Sequence, residues 1–503
     1  MSDSETPNIK GTSGVMVKGS PEGQSNPGEP INGSYLMELE ALDRKGDAMQ
    51  HMGNLTNTDL AFLLNIPTQQ LSALRTAKSS ADVIDRRVNR NTPASEGQRK
   101  KGQSLKCIRP YHAILIRLFL KYPEYATLIP PYPMSSEVFR LIQPFMRKPG
   151  EPLNEPDDRK RRWFGQLFGR SLIISYKMLS NDPHTQLNRN NSRPVVQLQT
   201  LVMLRFSKIF RELYSQYRDR FLPLKEQRNP LYSPESLSWD ILRERDSLTD
   251  WMDEDLYASF ETDLLERWRQ WWDNKYMRTL RLEAESRDIG FEDVLKTGQW
   301  QTKEKVTSFK NYTRNAQPIT GADASLLAQF RDMTKLSSSE FVWLLGISPK
   351  TFFMYRKRPG QRIDAAASIL LRHFYLNPED LELFIQTPKA PLELLEHIRE
   401  ADPAFERKQL GILLGGGAIA GYNMTKPNAE VPAFARRAAS LMTEHFNYSN
   451  SIYWHIRECA EAEAVARGLN LKELWSGGSW HRNTEDDDDT LDVNMDGSSE
   501  RDE

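Results

Sequence analysis

The chain has 503 residues, 39% of them hydrophobic and 27% charged, with a formal net charge of −1 and two cysteines. That length leaves room for roughly two to four domains with apolar cores, and no run of about eighteen apolar residues marks a membrane span. Two cysteines exclude a disulfide scaffold and suit a reducing cytosol; Cys107 and Cys459 are expected to be small buried apolar residues.

Residues 1–33 are rich in Ser, Gly, Pro and Asn, hold no apolar signal-peptide stretch, and read as a disordered tail. The chain then begins a pattern that it later repeats. Leu60-Ala61-Phe62-Leu63-Leu64-Asn65-Ile66-Pro67 corresponds to Phe341-Val342-Trp343-Leu344-Leu345-Gly346-Ile347-Ser348, and each stretch reaches an arginine, Arg75 or Arg356, eight residues on. The match resumes at Ile108 and Ile363 and runs to Pro123-Glu124 and Pro378-Glu379. Between these blocks the register falls from 281 to 255 residues, so the first copy carries an insertion of 26 residues between Thr76 and Cys107. A further block pairs Phe164–Met178 with Leu410–Met424, and another pairs Gly290–Trp300 with Asn470–Trp480. Blocks recurring in one order indicate an internal duplication, with halves at residues 34–302 and 320–482.

The second copy is uninterrupted and shows the local logic best. Leu326, Leu327, Phe330 and Met333 recur at helical spacing and predict one amphipathic helix. Ser337 or Ser338 caps the next, with Glu340 in its first turn and Phe341, Leu344 and Leu345 facing inward. Gly346 supplies the left-handed residue that ends it. Ser348 followed by Pro349 starts a third helix, which buries Phe352 and Tyr355 and turns Lys350, Thr351, Phe353 and Met354 outward. A basic elbow follows at Arg356, Lys357, Arg358 and Arg362, and then a helix carrying Ala366, Ile369, Leu370 and Phe374.

The stretch from Ser337 to Arg356 resembles the lambda-repressor-like (XRE-type) helix-turn-helix superfamily, in its apolar-apolar-Gly-apolar-Ser turn and its late aromatic. Asn377-Pro378-Glu379-Asp380 is similar to that family's helix-to-helix turn. The resemblance implies that residues 349–354 face the major groove of DNA. Carried to the first copy, it turns Thr68, Gln69, Gln70, Ser72 and Arg75 outward and buries Ile66, Leu71 and Leu74. Gln pairs well with adenine and Arg with guanine, so the first copy has the better base-reading surface. Phe353 and Met354 depart from a usual reading face: they suit thymine methyl groups, or docking on another protein or on the other half.

The blocks at Trp163–Met178 and Gln409–Met424 look like degenerate relatives of the same element. The run Leu413-Leu414-Gly415-Gly416-Gly417-Ala418 offers almost no side chains to read bases; without a preceding strand or a following Lys-Ser/Thr it suits close helix packing rather than a phosphate loop. Arg159-Lys160-Arg161-Arg162 is either a phosphate clamp or a solvated basic turn. The insertion, net +5 with Arg86, Arg87, Arg99, Lys100 and Lys101, is expected to be an arm on the phosphate backbone or a tolerated loop. Trp239, Trp251, Trp268, Trp271 and Trp272 lie among leucines at helical spacing and predict core, or a surface for a homodimer or partner protein. From His481 to Glu503 ten acidic residues face two arginines, which leaves the rest of the chain at +7. Such a tail is a solvated extension or a competitor of phosphate for the basic body.

No histidine pair has metal-ligand spacing with carboxylates or cysteines, and no nucleophile elbow, Walker loop or dinucleotide turn is present. No metal, cofactor, small-molecule substrate, membrane contact or enzymatic activity is expected. The expected fold is all-α: internally duplicated helical domains, each containing a helix-turn-helix. The divisions are 1–33 (tail), 34–145 (first helix-turn-helix unit, basic insertion 76–106), 146–302 (degenerate unit with the Trp-rich insertion), 303–319 (linker), 320–400 (second unit), 401–480 (degenerate unit) and 481–503 (acidic tail). The expected function is sequence-specific binding of double-stranded DNA by a transcriptional regulator of a prokaryote or mobile element. It would be cytoplasmic, on the nucleoid in a prokaryote, and read a composite site rather than a palindrome. The alternative is a helical-repeat scaffold that binds another protein; RNA binding is a weaker third reading.

Overall fold

The computed structural model describes residues 29–41, 55–75, 108–130, 132–146, 157–180, 193–221, 254–300, 324–357, 363–446 and 449–480. Their regular elements are all helices, with no strand among the described residues. The first half runs α1 (Tyr35–Glu40), α2 (Asn57–Leu63), α3 (Thr68–Arg75), α4 (Pro110–Lys121), α5 (Ser135–Ile142) and α6 (Asp157–Leu167). It continues with α7 (Leu172–Met178), α8 (Arg193–Phe221), α9 (Glu254–Trp271), α10 (Met277–Glu285) and α11 (Phe291–Thr297). The second half runs α12 (Ala324–Thr334), α13 (Ser338–Leu345), α14 (Pro349–Lys357), α15 (Ala365–Leu376) and α16 (Pro391–Ala401). It ends with α17 (Arg407–Leu413), α18 (Ala418–Met424), α19 (Arg436–His445), α20 (Ser451–Ala466) and α21 (Leu471–Trp475). A proline-led 3₁₀ turn follows α4 at Pro123–Leu128 and α15 at Pro378–Leu383, but helix lengths differ between the halves: α8 has 29 residues and α19 has 10. Among the described residues no helix is long and apolar enough to cross a membrane.

Local chemistry starts the key helices. Thr56 caps α2 and Ser337 caps α13, each in a reciprocal capping box with the acid three residues on, Asp59 or Glu340. Both acids are fully buried, and each meets an arginine from its own half: Arg193 lies 2.7 Å from Asp59 and Arg436 lies 2.9 Å from Glu340.

The two halves share one core. Phe62 of α2 stacks on Trp343 of α13 with centroids 3.9 Å apart, and the Trp343 indole N–H donates to Asp59 at 3.0 Å. Beneath Phe62 lies the guanidinium of Arg437, 4.0 Å from the ring centroid, donating through Nε and Nη2 to the Phe62 carbonyl. On the other side Gln197 donates to the Trp343 carbonyl at 2.8 Å.

Further out, the halves exchange helices. Glu463 of α20 is buried between Arg117 of α4 (2.7 Å) and Arg467 (2.8 Å), and Arg467 also donates to the Ile108 carbonyl. In mirror fashion Glu283 of α10 is buried between Arg372 of α15 (2.8 Å) and Arg287 (2.7 Å), and Arg287 donates to the Ile363 carbonyl.

The Trp-rich stretch takes the first of the two roles expected of it, core, in the residues described. Trp268, Trp271 and Trp272 are interior, so they do not form a surface for a homodimer or partner. Trp268 stacks on Phe206 at 4.7 Å, and the Trp271 N–H reaches Asp380 of the other half at 3.0 Å. The 29-residue α8 gives α9 a long apolar wall to pack on. Trp239 and Trp251 lie outside the described residues.

Replacing Glu463 by Gln leaves two arginines without their buried counter-charge, and loss of one partner of a buried ion pair costs about 3–5 kcal/mol. Urea denaturation should register that loss for Glu463→Gln and, at similar size, for Glu283→Gln; a change below about 1 kcal/mol would show that these carboxylates do not hold the exchanged helices.

Candidate nucleic-acid interface

Two helices are joined through one left-handed residue at Asn65 (φ 49°), Gly169 (φ 73°), Gly346 (φ 61°) and Gly415 (φ 80°), and the joints at Asp288 (φ 55°) before α11 and Gly468 (φ 71°) before α21 close in the same way. The backbone bonds around them are the same each time. The N–H of the left-handed residue donates to the carbonyl three residues back, on Phe62, Gln166, Trp343 or Ile412. The following N–H, on Ile66, Arg170, Ile347 or Gly416, reaches five back to Ala61, Gly165, Val342 or Gly411. This double closure satisfies carbonyls that a helix end otherwise leaves open. The blocks read as degenerate in sequence, α6–α7 and α17–α18, therefore share the turn geometry of α2–α3 and α13–α14.

In the first pair, Ile66, Leu71 and Leu74 are buried, Ser72 is exposed, and Thr68 and Gln70 are half-buried on the outer side of α3. Arg75 departs from the expectation of an outward reader. It forms an ion pair with Glu40 and donates to Asn57 at 2.6 Å, because the acidic end of α1 lies beside the end of α3. The Gln69 side chain lies outside the described residues, as do Arg86, Arg87, Arg99, Lys100 and Lys101.

In α14, Ser348 caps the helix, accepting from the Thr351 N–H at 3.0 Å, and Pro349 takes the first position. Phe352 and Tyr355 are buried, whereas Lys350, Phe353, Met354 and Lys357 are exposed. Thr351 is half-buried, with its hydroxyl bonded to that of Ser348. The Arg356 side chain, Arg358 and Arg362 lie outside the described residues.

The other two pairs present something the sequence reading passed over. On α7, Ile173 is 70% and Tyr176 52% exposed; on α18, Ile419 is 76% and Tyr422 53% exposed. Asn423 and Lys177 stand beside them, also exposed. The signal was the constant 246-residue register that aligns Ile173 with Ile419 and Tyr176 with Tyr422. Inside each pair the helices approach closely through small residues: Ser175 accepts from the Gly165 N–H at 2.7 Å, and a side chain on Gly421 would collide with the Arg407 carbonyl. Within the glycine-rich run, Gly415 abuts the Tyr111 backbone and Gly416 the Phe434 ring, as close packing requires, whereas Gly417 has open space beside it. Arg159, Arg161 and Arg162 belong to α6 itself and are exposed, while Lys160 is buried; the basic run is not a turn before the helix. With Trp163, Glu292, Leu295 and Lys296, two of them (Arg159 and Arg162) line an open hollow.

The turns of α6–α7 and α17–α18 each touch a helix of the opposite half. Gly169 abuts the Ala366 backbone at the start of α15, and Gly415 abuts the Tyr111 backbone at the start of α4. Next to Tyr111, His112 is buried with no hydrogen-bond partner on Nδ1, and burial together with the neighbouring Arg109 charge lowers its pKa to about 3. Among the described residues no group of three or more His, Cys, Asp and Glu is placed to hold a metal ion. Cys459 is buried, which pushes its thiol up to about 12. No family model matches this chain, and no curated protein or solved structure is similar to it.

Gly415→Ala forces a side chain into the left-handed region and against Tyr111, and should cost about 1–3 kcal/mol in chemical denaturation; an unchanged midpoint would show that the turn is not held against α4. Stability should also depend on pH. The unfolded chain takes up the His112 proton below 6.5 and the folded chain only near 3, so stability is full above pH 6.5 and declines as pH falls through that window. Burial also lowers the His445 pKa, which acts in the same direction. His112→Leu should flatten the decline between pH 6.5 and 5 without abolishing it, and an unaltered slope would contradict this account.

Proposed function

We propose that the chain is a non-enzymatic, sequence-specific DNA-binding protein, a transcriptional regulator of a prokaryote or mobile element. It reads duplex DNA through the second helices of α2–α3 and α13–α14. The observation that carries this reading is the division of those helices. Both put apolar residues (Leu71 and Leu74; Phe352 and Tyr355) into the core and leave polar or cationic ones (Ser72; Lys350 and Lys357) outside after the left-handed turn, with Phe353 and Met354 also exposed on α14. That is the arrangement in which a helix-turn-helix offers its second helix to a major groove. Thr68, Gln70 and Thr351 at the edge of the same faces are of the types that bond base edges.

The scaffold reading keeps one specific observation in its favour: Phe353 and Met354 on α14, and the Ile–Tyr pairs on α7 and α18, are exposed apolar groups suited to another protein surface. Salt separates the two. Groove binding with phosphate contacts weakens steeply as salt rises, because bound counterions are released; apolar docking barely responds.

Fluorescence anisotropy with duplexes enriched from a random pool is the test. Gln70→Ala should relax base preference by about 1–3 kcal/mol if its amide makes a bidentate contact, and Lys350→Ala should weaken all sequences alike and reduce the salt slope by about one. Binding indifferent to salt and to both substitutions would refute the reading.

A further inference from the structure

The contacts between the halves are reciprocal, and this has a consequence for the DNA. Residues 62 and 343 occupy the same place in the two halves by the 281-residue register, and they touch each other. Only a two-fold relation brings a surface against its own equivalent; a head-to-tail repeat brings it against a different one. The outlying contacts obey the same rule. Arg117 and Arg372 are equivalent by the 255-residue register, and Glu463 and Glu283 by one of 180. The first arginine meets the second half's glutamate and the second arginine meets the first half's. Gly415 lies against Tyr111 and Gly169 against Ala366, again a crossed pair in which each member is the other's equivalent. The carbonyls of Phe62 and Trp343 each accept from the opposite half, from Arg437 and Gln197.

We infer that the halves are related by a pseudo-two-fold axis through the Phe62–Trp343 stack, and that one copy of the chain binds one duplex carrying two unlike half-sites in inverted orientation. This rests on the DNA-binding reading above and sharpens it. Duplex DNA has two-fold axes perpendicular to its length, and a two-fold pair of reading helices meets half-sites of opposite direction. Here the second reading helix is part of the same polypeptide, so no second copy is needed. The sequences at the equivalent positions, Thr68-Gln69-Gln70 and Pro349-Lys350-Thr351, differ in chemistry, so the half-sites differ in base sequence. The composite site expected from sequence is thereby an imperfect inverted repeat.

The experiment starts from a randomised duplex library enriched on the full chain. From the enriched motif, duplexes are made with the second half-site inverted or direct, and affinity and complex mass are measured on each. The inverted duplex should bind about a hundredfold more tightly, since the direct one engages a single head, and the complex should contain one chain per duplex. Equal affinity for the direct arrangement, or two chains on one duplex, overturns the two-fold assignment while leaving DNA binding intact. Failure to enrich any duplex removes the DNA-binding reading, and this inference with it.

Discussion

A guanidinium with no access to water lies at the centre of this molecule. Arg437 lies over the Phe62 ring, which also stacks on Trp343, and its N–H groups donate to the Phe62 carbonyl. Burial lowers its pKa to about 10, partly offset by Glu340, so the group stays charged at neutral pH. A buried cation is tolerable only where acceptors and a counter-charge surround it. Here the carbonyl of α2 and the capping carboxylate of α13 provide them. The helix pair of one half is therefore locked to that of the other by groups that each half supplies.

The outer contacts extend this lock. Two carboxylates, Glu463 and Glu283, lie buried between paired arginines where terminal helices cross into the opposite half. Buried ion pairs often add little to stability over apolar residues of the same size, but losing one partner is costly, so they punish a wrong alignment. We read them as register devices. A displaced helix would strand a charge in the core. The junction and both crossings are the contacts that place α3 and α14 relative to each other.

Much of this was legible in the sequence. The recurring apolar blocks placed the helices around Phe62 and Trp343, the Ser337–Glu340 spacing located a helix start, and Gly346 located its end, because each depends on chemistry within a few residues. The exchange of helices was not legible. Glu463 and Arg117 stand 346 residues apart, and nothing local marks either as buried. The tryptophans left both roles open because an aromatic-rich amphipathic helix has the same periodicity in a core as at an interface. Arg75 was read as outward because helical phase sets direction from the axis but not the reach of a neighbour such as Glu40. The outward Ile–Tyr pairs were not legible because apolar residues at helical spacing read as a core face.

Ser72 on α3 and Lys350 on α14 are both exposed, one in each half. Benzoylphenylalanine in place of Ser72, and in a second variant in place of Lys350, followed by irradiation with one enriched duplex, tests most directly whether both face DNA. Covalent adducts to DNA from both positions, mapping on either side of a single centre, are the result the account predicts. Adducts from one position alone, or from neither, would contradict it.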